Sequence, residues 1–140
     1  MKIAVARERT EGETRVAATP ETVAKYIALG AEVAVEKGAG ELARIPDTEY
    51  EKAGATIAAT AAAALKGADI VLTVRRPAAS ALTGAGDGAL VIGILDPYGN
   101  EQDIAALRSA GAQGVVLSWD LWHMPLERLH WLRTFAADEG

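Results

Sequence analysis

Apolar and polar positions along this chain fall into short blocks separated by glycine, proline and capping residues. Residues 2–6 form a compact apolar run that predicts a first strand. Thr19 then stands as an N-cap with Pro20 at the first helical position. Val23, Ile27 and the intervening alanines form a buried stripe, and Gly30 closes the helix. Residues 31–36 alternate as a second strand. Beyond Pro46, residues 47–53 predict a short helix capped by Asp47, 56–58 a brief strand, and 61–66 a helix capped by Thr60. Residues 69–74 are the clearest buried strand, followed by a helical turn over 78–82 and a glycine-rich connection at 84–88. A strand over 89–95, a turn at 96–99, a helix over 101–110 capped by Asn100 and a strand over 114–118 complete the series. Repeated strand–helix units of this size predict an α/β fold. It is Rossmann-like or flavodoxin-like, an open, mostly parallel sheet with helices on both faces.

Beyond residue 118 the character changes. All three tryptophans, Trp119, Trp122 and Trp131, and both histidines, His123 and His130, fall in residues 119–140. Pro125 opens a predicted helix with Leu129, Leu132 and Ala136 on one face. The chain therefore divides into a lobe over 1–118 and a divergent segment over 119–140, expected to pack as a helix on the same domain or onto a partner. His123 precedes the proline and no third ligand accompanies the pair, so no metal site is expected.

Composition narrows the functions. With 14 basic and 19 acidic residues and a net charge of -5, the chain is a poor candidate for nucleic acid or anionic membranes. Cysteine is absent, which removes disulfides, thiolate nucleophiles and cysteine-based zinc sites. No apolar run is long enough for a membrane span and no signal peptide is evident, so a cytoplasmic protein is expected.

Candidate chemistry concentrates at strand ends. Residues 7–20 place three arginines and three glutamates before the helix-capping threonine, where an α/β fold puts functional loops; a solvated loop closed by a helix cap is the simpler reading. Gly38-x-Gly40-x-x-Ala43 follows a strand in the form of a dinucleotide turn, but Pro46 leaves no room for the required helix, and a tight structural turn is expected. Arg75 ends the central strand, where it could hold an anion or simply be solvated. Asp96 suits position i of a turn better than catalysis.

Several motifs occur together in one family's order and spacing: Arg7-Glu8-Arg9, Glu13-x-Arg15-Val16-Ala17-Ala18-Thr19-Pro20, Leu29-Gly30-Ala31, Val35-Glu36-x-Gly38-Ala39-Gly40 and Ala53-Gly54-Ala55. Over roughly its first 118 residues the chain resembles the N-terminal lobe of the alpha subunit of proton-translocating NAD(P) transhydrogenase, a relative of alanine dehydrogenase. Alanine dehydrogenases carry a lysine and a histidine where Arg75 and Asp96 stand here, so the transhydrogenase pattern is nearer. The resemblance implies one wall of an NAD(H) cleft, with hydride passing to NADP on another domain and coupling through a membrane component. The implied partners are the remaining NAD-binding lobe and the membrane and NADP-binding components, with a homo-oligomer also compatible. The implied location is the cytoplasm, peripheral to the inner membrane through those partners. Arg15 and Arg75 are the residues expected to face the cleft. In an alanine-dehydrogenase-like lobe Arg15 would grip a substrate carboxylate, whereas an ion pair with Glu8 or Glu13 would make it structural.

After Met124-Pro125 the family continues Arg-Ile-Ser/Thr-Arg-Ala-Gln-x-x-Asp, but here Leu126-Glu127-Arg128-Leu129-His130-Trp131 follows, with Thr134 in place of the aspartate. The G-x-G-x-x-G turn that marks the second lobe of the family does not occur in this sequence. The expectation is a first lobe with a foreign or aberrant tail, through truncation, fusion, frameshift or engineering, that is incomplete as a catalyst and does not bind NAD(H) alone. The remaining alternative is a non-catalytic interaction module that docks through the tryptophan-rich tail.

Overall fold

The computed structural model describes residues 1–97 and 99–116. The expected segment 119–140, with Trp119, Trp122, His123, the helix from Pro125, His130 and Trp131, lies outside the described residues, as do Tyr98 of the 96–99 turn and the end of the last strand at Ser118.

Six strands pair in parallel in the order β3-β2-β1-β4-β5-β6. They are β1 (Lys2–Val5), β2 (Glu32–Glu36), β3 (Thr56–Ala58), β4 (Ile70–Arg75), β5 (Leu90–Ile94) and β6 (Gln113–Val116). The intervening helices are α1 (Pro20–Ala28), α2 (Asp47–Lys52), α3 (Ala61–Leu65) and α4 (Glu101–Ser109), with 3-10 turns at Glu41–Ala43 and Ala79–Leu82. This is a Rossmann-like sheet, parallel throughout its described strands.

The period-two alternation of each strand divides the core into two layers. Ile3, Val5, Val33 and Val35 pack on one face with Val23 of α1 and Tyr50 of α2. Ala4, Val71, Val91 and Leu95 face the other way, against Ala64 and Leu65 of α3 and Ile104 and Leu107 of α4. Right-handed crossovers account for this division: β1-α1-β2-α2-β3 steps outward on one side, and α3 carries the chain back across the sheet to start β4 on the other.

Local signals govern where the helices begin and end. Thr19 Oγ1 accepts from Thr22 N at 3.3 Å and Pro20 occupies N1, while Gly30, at φ +87°, turns the chain out of α1. Thr60 caps α3 through Ala63 N at 3.2 Å. Asp47, expected to cap α2, is instead its first residue, and Pro46 holds the cap position. The Asp47 carboxylate reaches outward to accept Gly38 N at 2.9 Å, fixing the turn after β2. Asn100 holds the cap position of α4 without a side-chain cap; its Nδ2 donates to Asp96 O at 3.1 Å.

Tyr50 is fully buried, and its hydroxyl donates to Ala18 O at 2.9 Å, joining α2 to the end of the loop that precedes α1. Burial, with a smaller contribution from the Asp47 charge, pushes this phenol up to about 12, so it remains a neutral donor. Replacing it by Phe removes the hydroxyl and leaves the ring in place. Tyr50→Phe should cost about 1 kcal/mol in urea unfolding without changing the circular dichroism spectrum. No loss would mean that water replaces the phenol on the Ala18 carbonyl.

Candidate functional site

In an open α/β sheet the natural crevice lies beyond the strand ends where the strand order reverses. Here that point is between β1 and β4, because the chain leaves β1 towards β2 and returns from β3 to β4. Residues 7–19 leave β1 at this point, and their charged side chains tie the strand ends together.

Glu13 is the centre of this arrangement. Its side chain is only 5% exposed, and its Oε1 accepts from Arg15 N at 3.0 Å and Arg15 Nε at 2.8 Å. Its Oε2 accepts from an Arg15 terminal nitrogen at 2.6 Å and from Arg75 Nε at 2.9 Å. Arg15 and Arg75, the two residues expected to face a ligand, are thus brought together on one carboxylate, each about half exposed. The Arg15 side chain and then its backbone N–H, helped by Arg75 and opposed by burial, hold the Glu13 carboxyl down at about 2. The alternative in which Arg15 pairs with Glu13 is therefore present in the structure.

Two further carboxylates complete the strap. Glu8 accepts from the backbone N–H groups of Val74 and Arg75. The β4–β5 register shifts between Leu72 and Arg75, and the glutamate serves as acceptor for these two amides at that irregularity. Gly93 sits opposite the same stretch, where an added Cβ would lie 2.6 Å from Thr73 O, so only glycine permits this close approach. At the end of β2, buried Glu36 takes a forked contact from Arg9, at 2.6 and 3.2 Å, and accepts Arg7 N at 2.9 Å. Burial opposes its ionisation, but the Arg9 fork, the Arg7 amide and both guanidinium charges keep its carboxyl below the ordinary range. Among the described residues no buried side-chain nitrogen or oxygen lacks a hydrogen-bond partner.

The neighbouring strand ends differ. Arg76 turns to the opposite side, donating to Leu95 O and Asp96 O at 2.8 Å and pairing with Asp103 at 3.1 Å. It borders an open hollow of about 290 Å³ whose other walls include Pro77, Ala79 and Ala106. Asp96 adopts φ +43°, an uncommon left-handed conformation that ends β5 abruptly. The Gly38–Ala43 turn is filled by the chain itself: a Cβ on Gly40 would lie 2.5 Å from Ile45 O, and one on Gly38 would meet the Glu41 carboxylate at 3.1–3.2 Å. A three-residue 3-10 turn follows instead of an α-helix, so this turn offers no helix N-terminus for a pyrophosphate. Among the described residues no group of three or more His, Cys, Asp or Glu is disposed to hold a metal. No described helix is long and apolar enough to cross a membrane.

Sequence reasoning located the charged loop but missed Glu36 as a buried member of the network and Glu8 as an acceptor for strand amides. The available signal for Glu36 was a carboxylate ending a strand of buried valines, beside a loop rich in arginine. Ion pairing at Glu13 leads to a pH dependence. Its folded value lies below the ordinary value of about 4.3, so its contribution is complete above that pH and is lost as pH falls towards about 2. Glu13→Gln should lower stability by about 1–2 kcal/mol at neutral pH, a modest loss because both arginines are partly solvated. The gap between the urea midpoints of wild type and variant should narrow below about pH 4 and close near pH 2. A gap independent of pH would show that the charge contributes nothing.

Comparison with known proteins agrees with this geometry. Residues 4–120 match the family described as "Alanine dehydrogenase/PNT, N-terminal domain". The chain is 57% identical over 77 residues to the first part of NAD(P) transhydrogenase subunit alpha of Rhodospirillum rubrum, a match covering 55% of this chain and 20% of that protein. It is 42% identical over 77 residues to an alanine dehydrogenase of Methanococcus maripaludis, covering 55% of this chain and 21% of that protein. The solved transhydrogenase structure from Sinorhizobium meliloti superposes with a TM-score of 0.78 at 48% identity, over 83% of this chain and 34% of that one. The chain thus spans between a fifth and a third of the length of these relatives. With the sheet order, the matched lobe and these identities together, the chain belongs to the alanine dehydrogenase/transhydrogenase N-terminal domain family.

Proposed function

We propose that this chain supplies the first lobe of the NAD(H)-binding alpha component of a proton-translocating NAD(P) transhydrogenase, and that it is incomplete as a catalyst alone. In this reading the lobe forms one wall of a nucleotide cleft on the cytoplasmic side, with Arg15 and Arg75 facing that cleft. A second nucleotide lobe and the NADP-binding and membrane components are its partners. The observation that carries the proposal is the combination of a family-matched first lobe with a strand-end crevice occupied by the chain's own ion pairs. Hydride transfer between nicotinamides depends on holding two rings in near-attack geometry and excluding water. The described residues fit a wall for that purpose, but they do not form a pyrophosphate cradle: the β1 loop leads into a Thr-Pro helix cap, and the Gly38–Ala43 turn is filled.

A second reading, an alanine-dehydrogenase-like substrate lobe, is favoured by one observation. Arg15 and Arg75 already grip a carboxylate, that of Glu13, so the pair has the chemistry to hold a small carboxylate substrate.

Calorimetric titration of the chain with NADH should show no saturable binding. Micromolar saturation would overturn the incomplete-lobe reading. A protein joining residues 1–116 of this chain to the remainder of the Rhodospirillum rubrum relative should bind NADH. In that protein, Arg75→Ala should weaken binding by about tenfold or more, the scale of one lost charge-assisted hydrogen bond. Unchanged affinity would remove Arg75 from the cleft. Oxidation of NADH by the joined protein that requires both pyruvate and ammonium would favour the second reading instead.

A further inference from the structure

From Arg7 to Arg15 the chain carries no apolar side chain, so this strap adds nothing to either core layer. Among the described residues it makes one backbone–backbone hydrogen bond, Glu13 N to Thr10 O at 3.1 Å, which closes the exposed tip at Gly12. Each hydrogen bond or ion pair joining it to the rest of the described chain has a carboxylate on one side. Glu36 of β2 accepts Arg7 N and the Arg9 fork, and Glu41 pairs with Arg7 at 3.6 Å. Glu8 accepts from Val74 N and Arg75 N, and Glu13 from Arg75 Nε. Past Arg15 the attachment changes. Val16 and Ala17 pack on the core, and buried Ala18 is held through its carbonyl by Tyr50.

We propose that residues 7–15 lift from the strand ends as one unit while the sheet beneath them stays folded, uncovering the end of β4. The attachments are weak compared with what holds the sheet. Arg7, Arg9, Arg15 and Arg75 are exposed, so solvent competes for every guanidinium contact. By contrast, β1 is paired along both edges and buries Ile3, Ala4 and Val5. Segments with few apolar contacts open locally at far lower free energy than the whole domain unfolds. The strap is also tied to itself. Arg15 grips Glu13 through three hydrogen bonds, Arg9 donates to Arg7 O at 2.9 Å, and the Thr10–Glu13 turn joins the two halves. Freeing the contacts at one end therefore loosens the other. When the strap lifts, Glu13 leaves with Arg15, and the Val74 and Arg75 amides and the Arg75 guanidinium are bared. This opening follows from how the loop is attached and does not rest on the proposed function.

Native-state hydrogen exchange of the full chain, read residue by residue by NMR at several low urea concentrations, tests this. The amides of Arg7, Arg15, Val74 and Arg75 are each bonded to one of the three carboxylates Glu36, Glu13 and Glu8. In the wild type these four should share one protection factor, roughly a hundredfold or more below that of the β1–β2 and β1–β4 ladder amides. Their exchange should also depend much less on urea, because lifting the strap exposes little surface. Glu8→Ala removes the acceptor of Val74 and Arg75 alone, yet it should speed exchange at Arg7 and Arg15 by about tenfold. Glu36→Ala, at the other end, should speed Val74, Arg75 and Arg15 by about the same factor. Four different protection factors, with Arg7 and Arg15 unmoved by Glu8→Ala, would overturn the proposal and make each contact independent. Strap amides as protected and as urea-sensitive as the ladders would overturn it too, since the strap would then open only when the whole domain unfolds.

Discussion

The strand-end architecture depends on one buried carboxylate. Glu13 sits where the strand order reverses and is held by the Arg15 guanidinium, the Arg15 amide and Arg75 Nε. A carboxylate removed from water must be paired and fully hydrogen-bonded, or it becomes protonated. Here both oxygens are satisfied, and the loop after β1 is thereby fastened to the end of β4. Glu8, on the strand amides of Val74 and Arg75, and Glu36, on Arg9 and Arg7, extend the same solution to β4 and β2.

This network explains why a strongly charged loop can border a largely aliphatic sheet. The arginines remain about half exposed while the glutamates beneath them are buried, so each ion pair spans the boundary between core and solvent. Partial solvation limits what any one pair contributes to stability. What the pairs supply instead is geometry. They set the direction of the 7–19 loop and hold two guanidinium groups close together at the crevice.

The glycine turn after β2 makes no phosphate cradle. The glycines after β2 resemble a nucleotide motif in the order of residues alone. In space their open side is filled by Ile45, Tyr50 and Glu41, and the proline at 46 prevents the helix on which phosphate binding depends.

The sequence alone determined whatever rests on local physics. Short apolar runs between turn signals, with alternation in β2, located the start of each described strand from β1 to β6 to within a residue. Thr19-Pro20, Gly30 and Thr60 marked helix ends, because caps and left-handed turns need those residue types within one turn of the chain. The motifs around Arg9, Arg15, Gly30, Gly38 and Gly54, taken together, were sufficient to place the family. Tertiary structure alone decided the partners of the charges. Glu8 meets Val74, Glu13 meets Arg75 and Glu36 meets Arg9 across long sequence separations, which no local pattern encodes. It also moved Asp47 from a helix cap to the turn after β2, since Pro46 already held the cap position and the Gly38 amide lay within reach. A charged side chain announces by its type that it needs a partner; which partner it has depends on the strands that the fold sets side by side.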